Sequence, residues 1–129
     1  MLDIKPLAGA LGAEIRGMDL GLALSGDDVL RLRKLLNEYE VIFFRDQDIS
    51  PASQKTLALC FGPLQTHPAY DTVDGFPEIT ILESTADKPT KIEAWHSDMT
   101  FREHPPLGTV LKSVIVPPKG GDTLWASMT

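Results

Sequence analysis

The order of helical and strand-like patterns is the feature that most constrains the fold of this 129-residue chain. Two helical patterns lie before Gly62, whereas from Glu78 onward the apolar residues come in short runs separated by polar, Pro and Gly residues. Helices followed by several short strands are typical of α+β folds in which the strands form a sandwich or barrel. We therefore predict an α+β fold with two N-terminal helices.

The first helix is predicted to begin after Ser25, whose side chain is a suitable N-cap. Asp27 and Asp28 follow in the first turn, where negative charge interacts favourably with the helix dipole. Apolar residues recur at helical spacing and form the predicted buried stripe, which consists of Val29, Leu32, Leu36 and Tyr39.

A second helix is predicted to start at Ser50 and Pro51 and to run to about Phe61. The short apolar runs are predicted to be strands at 4–7, 13–15, 41–44, 78–82, 94–101, 109–116 and 122–125, with an irregular loop at 63–77. About four strands follow residue 78, which is half of the eight that a jelly roll needs. The strand faces of this half sandwich therefore lack a partner sheet.

The composition of the chain argues against several kinds of partner. The net charge is -6 and the sequence pI is about 4.9, whereas nucleic-acid binders need a basic face. No apolar run approaches the roughly 18 to 20 residues of a membrane span, and the N-terminus has no signal pattern. Cys60 is the only cysteine, so no intrachain disulfide forms. We expect a cytoplasmic protein with no nucleic-acid or membrane partner.

The pair His96 and Asp98 is the strongest candidate for metal chemistry. In a strand, residues i and i+2 project from the same face, so an imidazole nitrogen and a carboxylate oxygen would meet. They would supply two corners of the two-histidine, one-carboxylate triad, which binds Fe(II) and leaves three positions open. A His-x-Asp pair is a weak signal by itself, and a surface aspartate beside a half-buried histidine is the alternative interpretation.

The surroundings of this pair strengthen the signal. The segment Trp95 to Phe101 (WHSDMTF) resembles the metal-binding strand of taurine dioxygenases and of their 2,4-dichlorophenoxyacetate and alkylsulfate relatives. Gly120 to Trp125 (GGDTLW) is similar to a second motif of the family, and segments 12–20 and 41–47 resemble its opening segments. The resemblance implies an Fe(II)- and 2-oxoglutarate-dependent dioxygenase that uses O₂. It also implies that residues 1–62 lead into a double-stranded β-helix (jelly roll), of which residues 63–129 form the first, incomplete part.

The resemblance also assigns roles within this N-terminal portion of a single dioxygenase domain. It gives His96 and Asp98 as iron ligands, Thr123 as a contact to 2-oxoglutarate, and His67, Tyr70 and the backbone amide of Met99 as substrate-binding groups. Without the resemblance, Thr123 is an ordinary strand residue, and His67 and Tyr70 are surface residues of a loop. In the family, the third iron ligand and the 2-oxoglutarate-binding arginine lie further downstream. We therefore expect the chain to be incomplete for catalysis.

The implied substrate is a small anion, for example the sulfonate taurine, which is hydroxylated next to sulfur and releases sulfite in taurine catabolism. Ile92 stands where the taurine enzymes carry an asparagine near the substrate amine. Either Glu93 contacts the amine, or the substrate is an alkyl sulfate, a phenoxyacetate or another small acid. A different alternative is a non-catalytic truncated domain that pairs with another chain. We also expect a homo-oligomer.

Overall fold

The computed structural model describes residues 2–90 and 92–129, so Met1 and Lys91 lie outside it. Its regular elements are β1 (Asp3–Pro6), β2 (Ala13–Arg16), α1 (Gly26–Tyr39), β3 (Ile42–Phe43), α2 (Pro51–Leu59), β4 (Thr72–Val73) and β5 (Phe76–Thr80). The fold is α+β with two helices ahead of the second half, as predicted. The chain divides into two compact units, one formed by the residues up to Asp48 with Leu111–Thr129, and the other by Ile49–Val110.

The first unit is built on a three-stranded sheet in the order β1-β2-β3. Strands β1 and β2, which were both predicted, form an antiparallel pair with Ile4 opposite Ile15, and β3 joins β2 in parallel. Gly12 immediately precedes the central strand and has a φ of 92°, a conformation that side chains disfavour, and its N–H donates to the Tyr39 carbonyl at 2.8 Å. This bond and the parallel pairing tie the end of α1 to the sheet.

Helix α1 packs its apolar face against this sheet. Its N-terminus carries a capping box in which Ser25 and Asp28 exchange side-chain and backbone hydrogen bonds, which confirms the predicted start. The buried residues of the helix are Leu32 and Leu35. Of the predicted stripe, Leu32 is buried, and Val29, Leu36 and Tyr39 are half-buried, whereas Leu35 was not predicted. The core around Leu35 contains Ala13, Ile15, Tyr39, Ile42 and Phe44.

The second unit contains α2 and a short hairpin. Ser50 caps α2 as predicted, by accepting a hydrogen bond from the Ser53 N–H at 3.1 Å, and the helix ends at Leu59 rather than Phe61. Strands β4 and β5 pair in an antiparallel manner, although β4 lies within the predicted loop. Lys55 of α2 forms an ion pair with Glu78 of β5, which joins the helix to the hairpin.

The strands predicted at 94–101, 109–116 and 122–125 are wrong, because the described residues after Thr80 contain no strand. A strand needs a hydrogen-bonded neighbour, and none of these segments pairs with another in the described part of the chain. Their apolar side chains are consequently exposed: Val114 is 84% and Ile115 is 87% accessible. Within residues 2–90 and 92–129, no helix has the length and apolar character that crossing a membrane requires.

Candidate functional site

His96 and Asp98 lie in irregular backbone of the second unit rather than in the predicted strand. A bend at Ala94 precedes them, and a turn covers residues 98–101, in which Met99 has a φ of 55°. The Arg102 N–H donates to the Met99 carbonyl at 3.1 Å and closes this turn. The two side chains nevertheless meet, with His96 Nε2 lying 3.2 Å from Asp98 Oδ1. Both side chains are about half exposed, at 51% and 52%, so a small ion can reach them.

The hydrogen bond on the other ring nitrogen fixes the tautomer of His96. Its Nδ1 lies 2.9 Å from the Ala94 carbonyl oxygen, which can only accept, so Nδ1 carries a proton. When the ring is protonated, Nε2 donates to Asp98 Oδ1, and when the ring is neutral, Nε2 has the lone pair that a metal ion needs. The Ala94 carbonyl raises the pKa of His96 above its ordinary value, and the Asp98 carboxylate adds to this, while desolvation opposes it.

The donor set and its spacing fit a ferrous ion. Two ligand atoms at right angles on bonds of about 2.1 Å are about 3 Å apart, close to the observed separation of Nε2 and Oδ1. A histidine whose other nitrogen donates to a backbone carbonyl is the arrangement common among metal-binding histidines. Across residues 2–90 and 92–129, no three His, Cys, Asp or Glu side chains converge on a metal position, so neither His67 nor His104 completes a triad.

The second carboxylate oxygen of Asp98 has a partner that the sequence did not reveal. Thr109 Oγ1 donates to Asp98 Oδ2 at 3.0 Å. The adjacent carbonyl, that of Val110, accepts a hydrogen bond from Gln54 Nε2 of α2 at 3.2 Å. Asp98 is therefore held from both sides, by His96 and by a segment that is anchored to a helix.

The predicted substrate residues His67 and Tyr70 lie together in the same unit. Their ring centroids are 4.6 Å apart, and the Phe101 ring lies nearly perpendicular to the His67 ring at 5.8 Å between centroids. The Ala69 N–H donates to His67 Nδ1 at 3.2 Å, so in the neutral ring Nε2 carries the proton and can donate to an anion. Tyr70 is 44% exposed.

Two side chains bind the loop that carries His67 to the turn that follows Asp98. Arg102 Nη2 donates to the Thr66 carbonyl at 2.7 Å, and its guanidinium carbon lies 6.0 Å from the Phe101 ring centroid. Gln65 Nε2 donates to the His104 carbonyl at 3.0 Å. His104 thus contributes its backbone carbonyl to this contact. Nothing in the motif marked Arg102 or Gln65, because their roles depend on partners far along the chain.

Thr123 belongs to the first unit, where it lies exposed in irregular backbone after Gly120 and Gly121, both of which have positive φ. The tail that carries it contacts the N-terminal sheet, since Trp125 packs edge-on against Phe43 at 6.5 Å between centroids. The Ser127 hydroxyl donates to Glu40 Oε1 at 2.9 Å.

The first unit also has an open cleft of about 550 Å³, lined by charged residues of β2 and of the segment after β3. Its buried carboxylate, Glu14, already pairs with Arg16 and with Arg45. Gln47 donates to the Met18 carbonyl and accepts from the Leu20 N–H. These bonds and the Glu14–Arg45 pair join the segments 12–20 and 41–47.

A histidine and a carboxylate in direct contact, in the same unit as a His–Tyr pair, define a candidate mononuclear metal site. Residues 3–129 match the family model described as taurine catabolism dioxygenase TauD, TfdA family. The chain is 38% identical over 127 residues to an alpha-ketoglutarate-dependent sulfate ester dioxygenase of Pseudomonas putida, which covers 98% of this chain and 42% of that protein. The identity to an alkylsulfatase of Acinetobacter baylyi is 35% over 127 residues, which covers 98% and 39%.

The fold comparison agrees with the sequence comparison. A crystal structure of a taurine dioxygenase from Burkholderia xenovorans matches 59% of this chain and 28% of that chain, with a TM-score of 0.55 and 35% identity. The chain therefore belongs to the TauD, TfdA family of dioxygenases. It spans about 40% of the length of the two curated relatives.

Proposed function

We propose that this chain is the N-terminal portion of an Fe(II)- and 2-oxoglutarate-dependent dioxygenase that hydroxylates a small sulfur-containing acid. The observation that carries the proposal is the convergence of His96 Nε2 and Asp98 Oδ1 at 3.2 Å. These two residues would hold the iron, and a ligand outside this chain would complete the triad. Bound iron would supply, with 2-oxoglutarate and O₂, the oxidising power for C–H hydroxylation.

The residues around the pair would orient the two organic molecules. His67 Nε2 would donate a hydrogen bond to an anionic oxygen of the substrate, and the Tyr70 and Phe101 rings would exclude water from its carbon chain. We propose that Thr123 contacts a carboxylate of 2-oxoglutarate and that the backbone amide of Met99 binds the substrate. We further propose that residues 63–129 are the first part of a jelly roll, in which the exposed apolar residues of 111–116 would be covered.

Two substrate types are supported by different observations. The family description and the taurine dioxygenase structure favour a sulfonate such as taurine, whose hydroxylated product collapses to sulfite and an aldehyde. Ile92 and the sulfate ester dioxygenase and alkylsulfatase relatives favour an alkyl sulfate. Hydroxylation of its carbon next to the ester oxygen gives an aldehyde and inorganic sulfate. The released anion therefore distinguishes the two substrates.

The metal site is tested by anaerobic titration of the chain with Fe(II) up to millimolar concentration in the presence of excess 2-oxoglutarate. A 2-oxo acid that chelates Fe(II) gives a coloured complex, so we expect a visible absorption band. Asp98→Ala should abolish the band, whereas His104→Ala, a matched loss of a histidine outside the pair, should retain it. A band that survives Asp98→Ala, or no band in a chain extended past Thr129, would contradict the proposed site.

Substrate choice is tested in a chimera that continues after Thr129 with the downstream part of the Pseudomonas putida relative. Succinate, sulfite and sulfate are measured with taurine and with a linear alkyl sulfate. If Ile92 disfavours an amine, Ile92→Asn should raise the ratio of taurine to alkyl sulfate turnover about tenfold, the effect of one added hydrogen bond. An unchanged ratio would remove Ile92 from the substrate site.

A further inference from the structure

We propose that Thr109 is a positioning residue that selects the oxygen of Asp98 presented to the metal, an inference that rests on the proposed function. Thr109 Oγ1 donates to Asp98 Oδ2 at 3.0 Å, while His96 Nε2 lies 3.2 Å from Oδ1. Each carboxylate oxygen thus has its own partner. Oδ2 is engaged by the hydroxyl, which leaves Oδ1, the oxygen beside the imidazole, to bind the ion as a single donor.

The carboxylate needs this second contact because its own backbone supplies little constraint. Asp98 lies in a turn without a strand ladder, and its side chain is half exposed. Rotation about the last side-chain bond of an aspartate is broad, so one partner alone would leave both oxygens exchanging at the metal position. A hydrogen bond on Oδ2 restricts this rotation before the metal arrives, and outer contacts of this kind are worth 10- to 100-fold in metal affinity.

Thr109 is itself held in place by two features. Its β-branched side chain has a restricted χ1, so the hydroxyl direction follows the backbone. That backbone is fixed at the next residue, where the Val110 carbonyl accepts from Gln54 Nε2 at 3.2 Å. Gln54 belongs to α2, so the hydroxyl of Thr109 is positioned by a helix and not by the loop that carries Asp98.

The test compares Thr109→Val, which keeps the shape and removes the hydroxyl, with Thr109→Ser, which keeps the hydroxyl. Mn(II), a divalent ion that is stable in air, is titrated into each chain, and free Mn(II) is measured by electron paramagnetic resonance. We expect Thr109→Val to weaken Mn(II) binding about 10- to 100-fold, and Thr109→Ser to bind like the unmodified chain. Asp98→Ala serves as the reference for a lost site.

A metal-free measurement separates this inference from the proposed function. The ¹³C chemical shift of the Asp98 carboxyl and the χ1 couplings of Asp98 are compared in the unmodified chain, Thr109→Val and Thr109→Ser, all without metal. We expect Thr109→Val to change both, Thr109→Ser to restore them, and the amide signals of α2 to stay in place. An unchanged Asp98 signal in Thr109→Val overturns the inference whatever the metal does.

The two proposals therefore fail in different ways. If the unmodified chain binds Mn(II), Asp98→Ala does not, and Thr109→Val binds as tightly as the unmodified chain, Thr109 has no positioning role and the metal site stands. If the unmodified chain and Asp98→Ala bind Mn(II) equally, the metal site of the proposed function fails. The Asp98 signal then decides whether Thr109 orients the carboxylate.

Discussion

Glu14 is a buried carboxylate whose charge is balanced by two arginines. Its side chain is only 8% exposed, and it pairs with Arg16 and Arg45. The hydrogen bond from Arg16 is the main cause that lowers the pKa of Glu14, and desolvation opposes it. Because the folded pKa lies below the unfolded one, Glu14 stabilises the fold above the ordinary carboxyl pKa. This stabilisation is lost as the pH falls through the lowered value.

We expect Glu14→Gln to lower the melting temperature at pH 7, because a neutral amide cannot pair with both guanidinium groups. The difference from the unmodified chain should shrink as the pH falls below about 4, where the native carboxylate becomes protonated. Thermal melts between pH 7 and pH 3 measure this, with the exposed Glu103→Gln as the control. A difference that persists at pH 3 would show that the ionised carboxylate is not the cause.

The proximity of His96 and Asp98 was predictable, but the backbone that produces it was not. The prediction rested on alternation in a strand, whereas the two side chains meet across irregular backbone just before a left-handed Met99. Thr109 had no signal in the sequence, because it reaches Asp98 from eleven positions away through a single hydroxyl. The spacing of His96 and Asp98 thus predicted that they meet, but it did not predict the contact of Thr109 with Asp98.

At the scale of elements, the packing of α1 depends on few side chains. Leu32 is 1% exposed, while Leu30 on the opposite face of the same helix is 67% exposed. We expect Leu32→Ala to destabilise the chain by about 2–5 kcal/mol and Leu30→Ala by much less, since only the first leaves a cavity. Urea denaturation followed by circular dichroism measures both. Equal effects of the two substitutions would contradict the packing described for α1.

Local signals explain which elements could be predicted. Ser25 and Ser50 cap the helices through hydrogen bonds to residues three positions later, so the start of each helix depends only on neighbouring residues. Leu35 is buried in addition to the predicted stripe, because the rotation of a helix about its axis is set by the sheet against which it packs. The segments after Thr80 have apolar character suited to strands, but strand formation depends on a distant partner, which local sequence does not specify.

At the scale of the whole molecule, the exposed apolar segment 111–116 should govern association. Val114, Ile115 and Val116 are between 73% and 87% exposed, and contiguous apolar surface of this kind promotes self-association. We expect size-exclusion chromatography to show an apparent mass above 14.1 kDa that rises with concentration. Ile115→Lys should reduce this rise, whereas Leu22→Lys, at an exposed leucine in a loop, should not. A concentration-independent monomer would rule out the expected homo-oligomer.

The parallel pairing of β2 with β3 has a consequence for how the first unit folds. The β1–β2 hairpin and α1 involve only near neighbours, but Ala13 meets Ile42 only after the intervening chain has closed on itself. Closing a loop of this length costs conformational entropy before the β2–β3 hydrogen bonds can form. The β2–β3 pairing should therefore form last. The rate of refolding should then be limited by the docking of preformed α1. Substitutions in the β2–β3 pairing, such as Ile42→Val, should mainly increase the rate of unfolding.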